Sequence, residues 1–182
     1  MTRRANLPKL KNFSALFLKW NKSINLSSAR TEADLDEHIT DSLQLVDHLA
    51  GSTRHLDVGS GGGFPVVLAA IACPQIQFTA LEPVHKKQAF LRTAARELEL
   101  PNLDALAIRL DDHEVRDYDS TSSRATFDLV DWLRHGLGFV RPGGTVLGFE
   151  GVLRDDLPPG IERFPYDLGG KSRAIVALRK PA

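Results

Sequence analysis

Asp57-Val58-Gly59-Ser60-Gly61-Gly62-Gly63-Phe64-Pro65 is entered by a short strand candidate, Arg54 to Val58, and left by an apolar helix candidate, Pro65 to Ala72. Glycine alone takes positive φ without steric cost and lets a ligand lie against bare backbone. Proline suits the first turn of a helix, whose unpaired N–H groups would face that ligand. Strand, glycine-rich turn and helix in this order form the junction at which α/β proteins hold nucleotides. Asp57 supplies the only charge in it.

Working outward toward the C-terminus, Ile76 to Leu81 reads as a second strand, Val84 to Leu98 as a helix closed by Pro101, and Leu103 to Ile108 as a third strand. The β-α-β-α-β order predicts a mostly parallel sheet with right-handed crossovers and a ligand at the carboxyl edges of the strands. The Phe-Asp-Leu-Val run within Thr126 to Val130 has the look of a strand, but about 15 residues separate Phe127 from the Pro142-Gly143-Gly144 turn. A complete crossover alone needs at least about 10 residues. Strand four is therefore expected at Tyr118 to Arg124 despite its polarity, with Phe127, Val130, Leu133 and Leu137 as the buried stripe of the next helix. Thr145 to Phe149 follows as strand five, and Ile161 to Tyr166 with Ala174 to Leu178 brackets Gly169-Gly170 as a terminal antiparallel hairpin.

Upstream of the turn, Leu10, Phe13, Leu16, Phe17 and Trp20 recur at helical spacing, which predicts an amphipathic helix over about 8–21. A second helix is expected from a Thr31/Asp34 capping box to Gly51, turning Leu35, Ile39, Leu43, Val46 and Leu49 inward. His38 and Asp41 fall on it, either as surface groups or projecting toward a pocket. The expected organisation is one domain over 1–182, with 1–50 a helical cap and 51–182 the ligand-binding core.

Hydrophobic residues make up 42% and charged residues 25% of the 182, the balance of a globular protein with material for a core. No apolar run approaches the roughly 20 residues of a membrane helix, and Met1-Thr2-Arg3-Arg4 does not open a signal sequence, so a cytoplasmic protein without a membrane partner is expected. The lone Cys73 excludes an internal disulfide and reads as a small buried hydrophobe. His38, His48, His55, His85, His113 and His135 show no metal-ligand spacing, so no metal is expected. The formal charge is zero, yet Arg3, Arg4, Lys9, Lys11, Lys19, Lys22 and Arg30 occupy residues 1–30 without one acidic residue. That head is either an ordinary solvated face or a surface for nucleic acid.

The turn fails the dinucleotide fingerprint, because Phe64 stands where the third glycine belongs, and it fails the P-loop pattern, because no G-K-[ST] closes it. What fits is Glu82 at the end of the second strand, 21 residues beyond Gly61, where a carboxylate can accept both hydroxyls of a ribose. With Gly59, Gly61 and Gly63 this is the arrangement S-adenosylmethionine enzymes use; the alternative for Glu82 is a strand-end surface residue. After strand three, Asp111 or Asp112 is placed either to accept from an adenine amine or to cap a helix.

Taken together, Lys19-Trp20-Asn21-Lys22, Ile24-Asn25-Leu26, His38 with Asp41-Ser42-Leu43, the Asp57 to Pro65 turn, Glu82 with Lys86-Lys87 and Phe90-Leu91, Ser123-Arg124-Ala125, Pro142-Gly143-Gly144, Arg173 and Lys180 make the chain resemble the bacterial 16S ribosomal RNA guanine-N7 methyltransferases, also called glucose-inhibited division protein B. The resemblance runs from about Phe17 to Lys180. It implies a Rossmann-like class I methyltransferase fold of seven strands with an N-terminal helical extension, S-adenosylmethionine as cofactor, and 16S rRNA or the small ribosomal subunit as partner of a monomer. It carries cofactor contacts onto Gly59, Phe64, Leu110, Asp111 and Arg124, and leaves Arg124, His38 and Asp41 as candidates for positioning the substrate. Arg124 has a plain alternative as the salt-bridge partner of one of the nearby aspartates. The chain departs from the family pattern at Val66, where a glycine usually follows Pro65, and at Glu150-Gly151, where Lys-Gly is usual. A free carboxylate at Glu150 is expected to repel RNA phosphate. That leaves a methyltransferase for a small molecule or protein, or a non-catalytic relative, as the alternative readings.

Overall fold

A computed structural model describes residues 7–182; Arg3 and Arg4 of the basic head lie outside the described residues. Seven strands form one sheet in the order β3-β2-β1-β4-β5-β7-β6. They are β1 (Arg54–Val58), β2 (Gln77–Leu81), β3 (Leu103–Leu106), β4 (Tyr118–Ser123), β5 (Val140–Glu150), β6 (Glu162–Leu168) and β7 (Lys171–Arg179). The first five strands are mutually parallel, while β7 runs antiparallel to both β5 and β6. Strand order reverses between β1 and β4, so the crevice outside their carboxyl ends is a topological switch point, where open α/β sheets bind ligands.

Five helices, α1 (Leu7–Ile24), α2 (Glu32–Leu43), α3 (Val66–Ala72), α4 (His85–Glu97) and α5 (Leu129–Gly136), cover the sheet. One apolar cluster joins Phe13, Phe17, Leu35, Leu68, Phe90 and Leu91 of the first four helices to Phe78 and Ala80 of β2. The other joins Trp132 and Leu133 of α5 to Leu56 and Val58 of β1 and Val146 of β5. The two-residue strand period sends Leu56 and Val58 to the α5 face, and His55 and Asp57 to the other.

Thr31 caps α2 through the expected box: its hydroxyl accepts from the Asp34 N–H, and the Asp34 carboxylate accepts from the Thr31 N–H at 2.9 Å. The helix does not continue to Leu49; it tightens at Gln44 into a 3-10 turn, Gln44–His48, which buries Leu45 as well as Leu49. The stripe of α5 also differs from expectation. Asp128 is its N-cap, accepting from the Val130 and Asp131 N–H groups, so the helix starts after Phe127. Phe127 is left 39% exposed, and Trp132 takes the buried place beside Leu133.

Candidate active site

The glycine turn is tied down at both ends by backbone. The Gly59 and Ser60 N–H groups both donate to the Leu81 carbonyl at the end of β2, at 2.9 and 3.1 Å. Gly59, Gly61 and Gly63 all take positive φ, at 73°, 51° and 85°. They are not equivalent. A Cβ on Gly59 would lie 2.0 Å from the Thr126 hydroxyl oxygen, whereas one on Gly63 would lie 2.5 Å from Val67 Cγ2 inside the core. Gly63 serves packing beneath the turn and does not line the cleft. The helix after the turn offers less than its N-terminus promised, since the Val67 N–H already donates to the Gly63 carbonyl at 2.9 Å.

Glu82 is 5% exposed. Its two oxygens accept from the Gly61 N–H at 2.8 Å and the Val84 N–H at 2.9 Å. The carboxylate is therefore no surface residue: it holds the turn and keeps its remaining lone pairs at the cleft wall. Below the turn lies a polar ladder that local sequence patterns do not assemble. Asp57, 1% exposed, accepts from Ser60 and Ser122 hydroxyls, both at 2.7 Å. The other side of Ser122 meets His55 Nε2 at 2.9 Å, and His55 Nδ1 meets Ser120 at 2.8 Å. Burial raises the Asp57 carboxyl to about 6, although both hydroxyls and Arg124 favour its charged form. Burial drops the His55 imidazole to about 3, so it is neutral. With Ser122 donating to Asp57, the neutral ring carries its proton on Nε2 and accepts at Nδ1. The visible signal for this ladder was the polarity of Ser120, Thr121, Ser122 and Ser123 in a strand at the centre of a sheet.

Three clefts meet above these strand ends. A cleft of about 460 Å³ over the glycine turn is lined by Gly59, Gly61, Phe64, Glu82, Lys87 and Arg124, among others. A slot of about 380 Å³ shares Gly59, Pro83 and Thr126 with it and is walled by Ile108, Leu110, Asp111 and Phe139. A larger cleft of about 580 Å³ shares His38, Arg124 and Ala125 with the first and adds Asp41, Phe149, Tyr166 and Arg173. Gly59, Gly61, Phe64, Glu82, Leu110, Asp111 and Arg124 thus gather along the first two, and His38 and Asp41 face the third together with Arg124. Phe64 is mostly core, 7% exposed, with its ring edge-on to Phe13 and Phe17 at 5.3 and 5.2 Å. Asp111 sits in a 3-10 turn, Leu110–Asp112, that no side chain caps, so the capping alternative does not hold.

The first two clefts fit an adenosyl-bearing cofactor by their chemistry. An apolar slot with a carboxylate at its rim suits a purine, a buried strand-end carboxylate suits a ribose, and bare glycine backbone suits the amino-acid end. Arg124 pairs with an aspartate, but not with one near it in sequence: its Nη1 lies 2.9 Å from Asp41 Oδ2, and the pair is mostly buried. Its guanidinium carbon stands 5.4 Å from the Phe64 ring centre and 5.9 Å from that of Phe149. Burial first, then the Arg124 charge, lowers the His38 pKa, which leaves a neutral ring between the two clefts. Glu150 is not the free carboxylate expected at the far wall. It is 4% exposed, clasped by Arg163 at 2.7 and 2.9 Å, and accepts from the Arg154 N–H at 2.8 Å.

This sheet order with a cleft at the β1/β4 switch point is the class I methyltransferase fold. Solved structures agree: S-adenosylmethionine-dependent methyltransferase SibL in its apo form superposes with a TM-score of 0.68 at 20% identity, over 84% of this chain and 57% of that one. The O-methyltransferase TomG from Streptomyces achromogenes, solved in complex with SAM, gives 0.63 at 14% identity, over 92% and 89% of the two chains. At such identities the likeness is one of fold. Sequence comparison gives the family: the chain belongs to GidB, rRNA small subunit methyltransferase G, whose profile matches residues 6–156. It is similar to the ribosomal RNA small subunit methyltransferase G of Chromobacterium violaceum, 39% identical over 84% of this chain and 76% of that protein. The protein of the same name from Burkholderia lata is 39% identical over 95% and 77%.

Proposed function

We propose that the chain transfers a methyl group from S-adenosylmethionine to N7 of a guanine in 16S ribosomal RNA. The observation that carries this reading is the meeting of the clefts at Arg124: a glycine-turn cleft suited to the cofactor opens past Arg124 and His38 into a roomier, partly aromatic cleft suited to a base. When bound, S-adenosylmethionine supplies an electrophilic methyl group. Neutral guanine N7 carries a lone pair and no proton, so displacement in line with the breaking bond needs no general base. The chain's task is then to orient the two reactants and to hold a complementary field. Gly59 and Gly61 present backbone, Glu82 and Asp111 present acceptors, and Arg124 fixes the boundary between donor and acceptor.

RNA as acceptor also agrees with the surface. Lys19 and Lys22 of α1 and Lys86 and Arg92 of α4 are exposed, and the two helices are packed together with Trp20 and Phe90 rings 5.8 Å apart. Phosphate contacts of this kind position an RNA without reading its sequence. With Glu150 neutralised by Arg163, the charge that favoured a small-molecule or protein acceptor is gone. The test is methyl transfer from labelled cofactor to small-subunit RNA, followed by borohydride and aniline. Label in the RNA and strand scission at one guanine are the expected result; label in protein or small molecules with unlabelled RNA would overturn the reading.

A further inference from the structure

We infer that the large cleft between α2, the end of β4 and the β6-β7 hairpin seats the acceptor base edge-on, with Asp41 accepting from guanine N1–H and N2–H2 and Arg124 donating to O6. The inference rests on the proposed guanine-N7 activity and assigns the groups that would select the base. Along the edge of guanine the polar atoms run N2, N1, O6, N7. Along the site the order is the same: Asp41 lines only the large cleft, Arg124 lines both clefts, and the glycine turn lines only the other. A base aligned on these two side chains brings N7 to the donor side.

The carboxylate is prepared for this. Asp41 Oδ2 accepts from Arg124 at 2.9 Å and Oδ1 accepts from the Tyr166 hydroxyl at 2.7 Å. A carboxylate has about four acceptor positions, so acceptor capacity remains on each oxygen. Two adjacent donors match that pair, and guanine presents them at N1 and N2. Adenine fails twice, because its N1 acceptor would face the carboxylate and its N6 amine would face the arginine. Tyr166 is a positioning residue in this arrangement, since burial and the Asp41 charge both hold its hydroxyl protonated and its proton is given to Asp41. The hairpin that carries it is tied to α2 a second time by Lys171 and Glu37 at 2.9 Å. Phe127, exposed and stacked on Trp132 at 5.8 Å, offers the base a flat neighbour at the cleft rim.

The test pairs a protein change with a change in the substrate. Once scission has mapped the guanine, RNA carrying inosine there keeps N7 and O6 and loses only the N2 amine. The wild type should lose about tenfold in kcat/KM on inosine, the lower range for one lost half of a bidentate base contact. Asp41→Asn should lose about tenfold to a hundredfold on guanine and be indifferent to inosine. Tyr166→Phe should fall between them and keep part of the inosine sensitivity. Asp41→Asn should melt a few degrees below wild type, since it leaves the mostly buried Arg124 facing a neutral amide, while cofactor binding by calorimetry, at a temperature where both variants are folded, should match wild type in both, which separates base recognition from folding. Equal inosine sensitivity in wild type and Asp41→Asn would overturn the inference while leaving guanine methylation standing; no methylated guanine in wild type would instead overturn the functional reading beneath it.

Discussion

The donor and acceptor halves of the site are built by different means. On the donor side the contacts that shape the glycine turn are short in sequence and made largely by backbone: the Leu81 carbonyl holds two N–H groups of the turn, and Glu82 reaches Gly61 across 21 residues. On the acceptor side the contacts are between side chains far apart in the chain. Arg124 meets Asp41 across 83 residues and Tyr166 meets Asp41 across 125. A backbone-built site tolerates little change in conformation. A side-chain site can exchange partners, which suits a pocket that must admit and release a base. The contrast is open to test because glycines of positive φ occur in both halves.

Gly63→Ala should be the most damaging single change. Its φ is 85°, and the new methyl would meet Val67 Cγ2 at 2.5 Å and Leu91 Cδ2 at 3.4 Å within the core. The left-handed backbone costs about 1–2 kcal/mol and overpacking about 1–3, so a loss of about 3 kcal/mol and a fall in Tm of roughly 10 °C are expected. Gly170→Ala, at φ 80° in the hairpin turn with nothing within 4 Å, should lose only the backbone part. Equal losses by differential scanning calorimetry would erase the distinction between the halves.

The same difference decides what was legible from sequence. The donor half could be read because strand, turn, helix and acid fall within Arg54 to Glu82 and follow periodicities that local sterics impose. Asp41 and Arg124 were readable as candidates through family motifs, but nothing in either motif points to the other. Tyr166 carried no signal, since its role exists only once β6 lies beside β7 and near α2. Phe127 was misplaced for a local reason: its spacing suits an α5 stripe, but Asp128 captures the first helical N–H groups and starts the helix too late to include it. Glu150 was misjudged because the Arg163 that neutralises it comes from a strand paired to a different neighbour.

Asp57 should give a pH signature of the donor half. Its folded pKa of about 6 lies above the ordinary 3.8, so between these values the folded state holds more of this proton than the unfolded one, and the contribution of Asp57 to stability falls as pH rises. A rise of this size corresponds to about 3 kcal/mol between the two protonation states. Asp57→Asn keeps the shape, and the Ser60 and Ser122 hydroxyls can rotate to suit an amide. Its stability relative to wild type should therefore rise by about 3 kcal/mol across the window from the ordinary carboxylate range to neutral pH, read as a difference of urea midpoints. Arg124 and Glu82, the charges that face Asp57, are common to both proteins. So is His55, whose lowered pKa acts in the opposite sense: its contribution is present at neutral pH and lost as pH falls from 6.5 toward 3. A flat difference would mean that the two hydroxyls keep the carboxylate ionised across the range.

The smallest effect is expected at the far wall of the acceptor half. Arg163→Met removes both contacts from the Glu150 carboxylate, whose side chain is only 2% exposed. Breaking a fully buried pair costs about 3–5 kcal/mol, but the Arg163 side chain is 36% exposed, so water can replace it from that side. The Arg154 N–H also stays on Glu150 at 2.8 Å. A small fall in the urea midpoint is expected, with cofactor affinity unchanged because Glu150 lines only the large cleft. Methylation of RNA should fall, since the variant leaves the Glu150 carboxylate without its counter-charge at the wall of the acceptor cleft; its deficit relative to wild type should shrink at higher salt, which screens that repulsion. A variant with full RNA activity at low salt would show that the Arg163 clasp matters to the fold of the hairpin and not to the approach of the substrate.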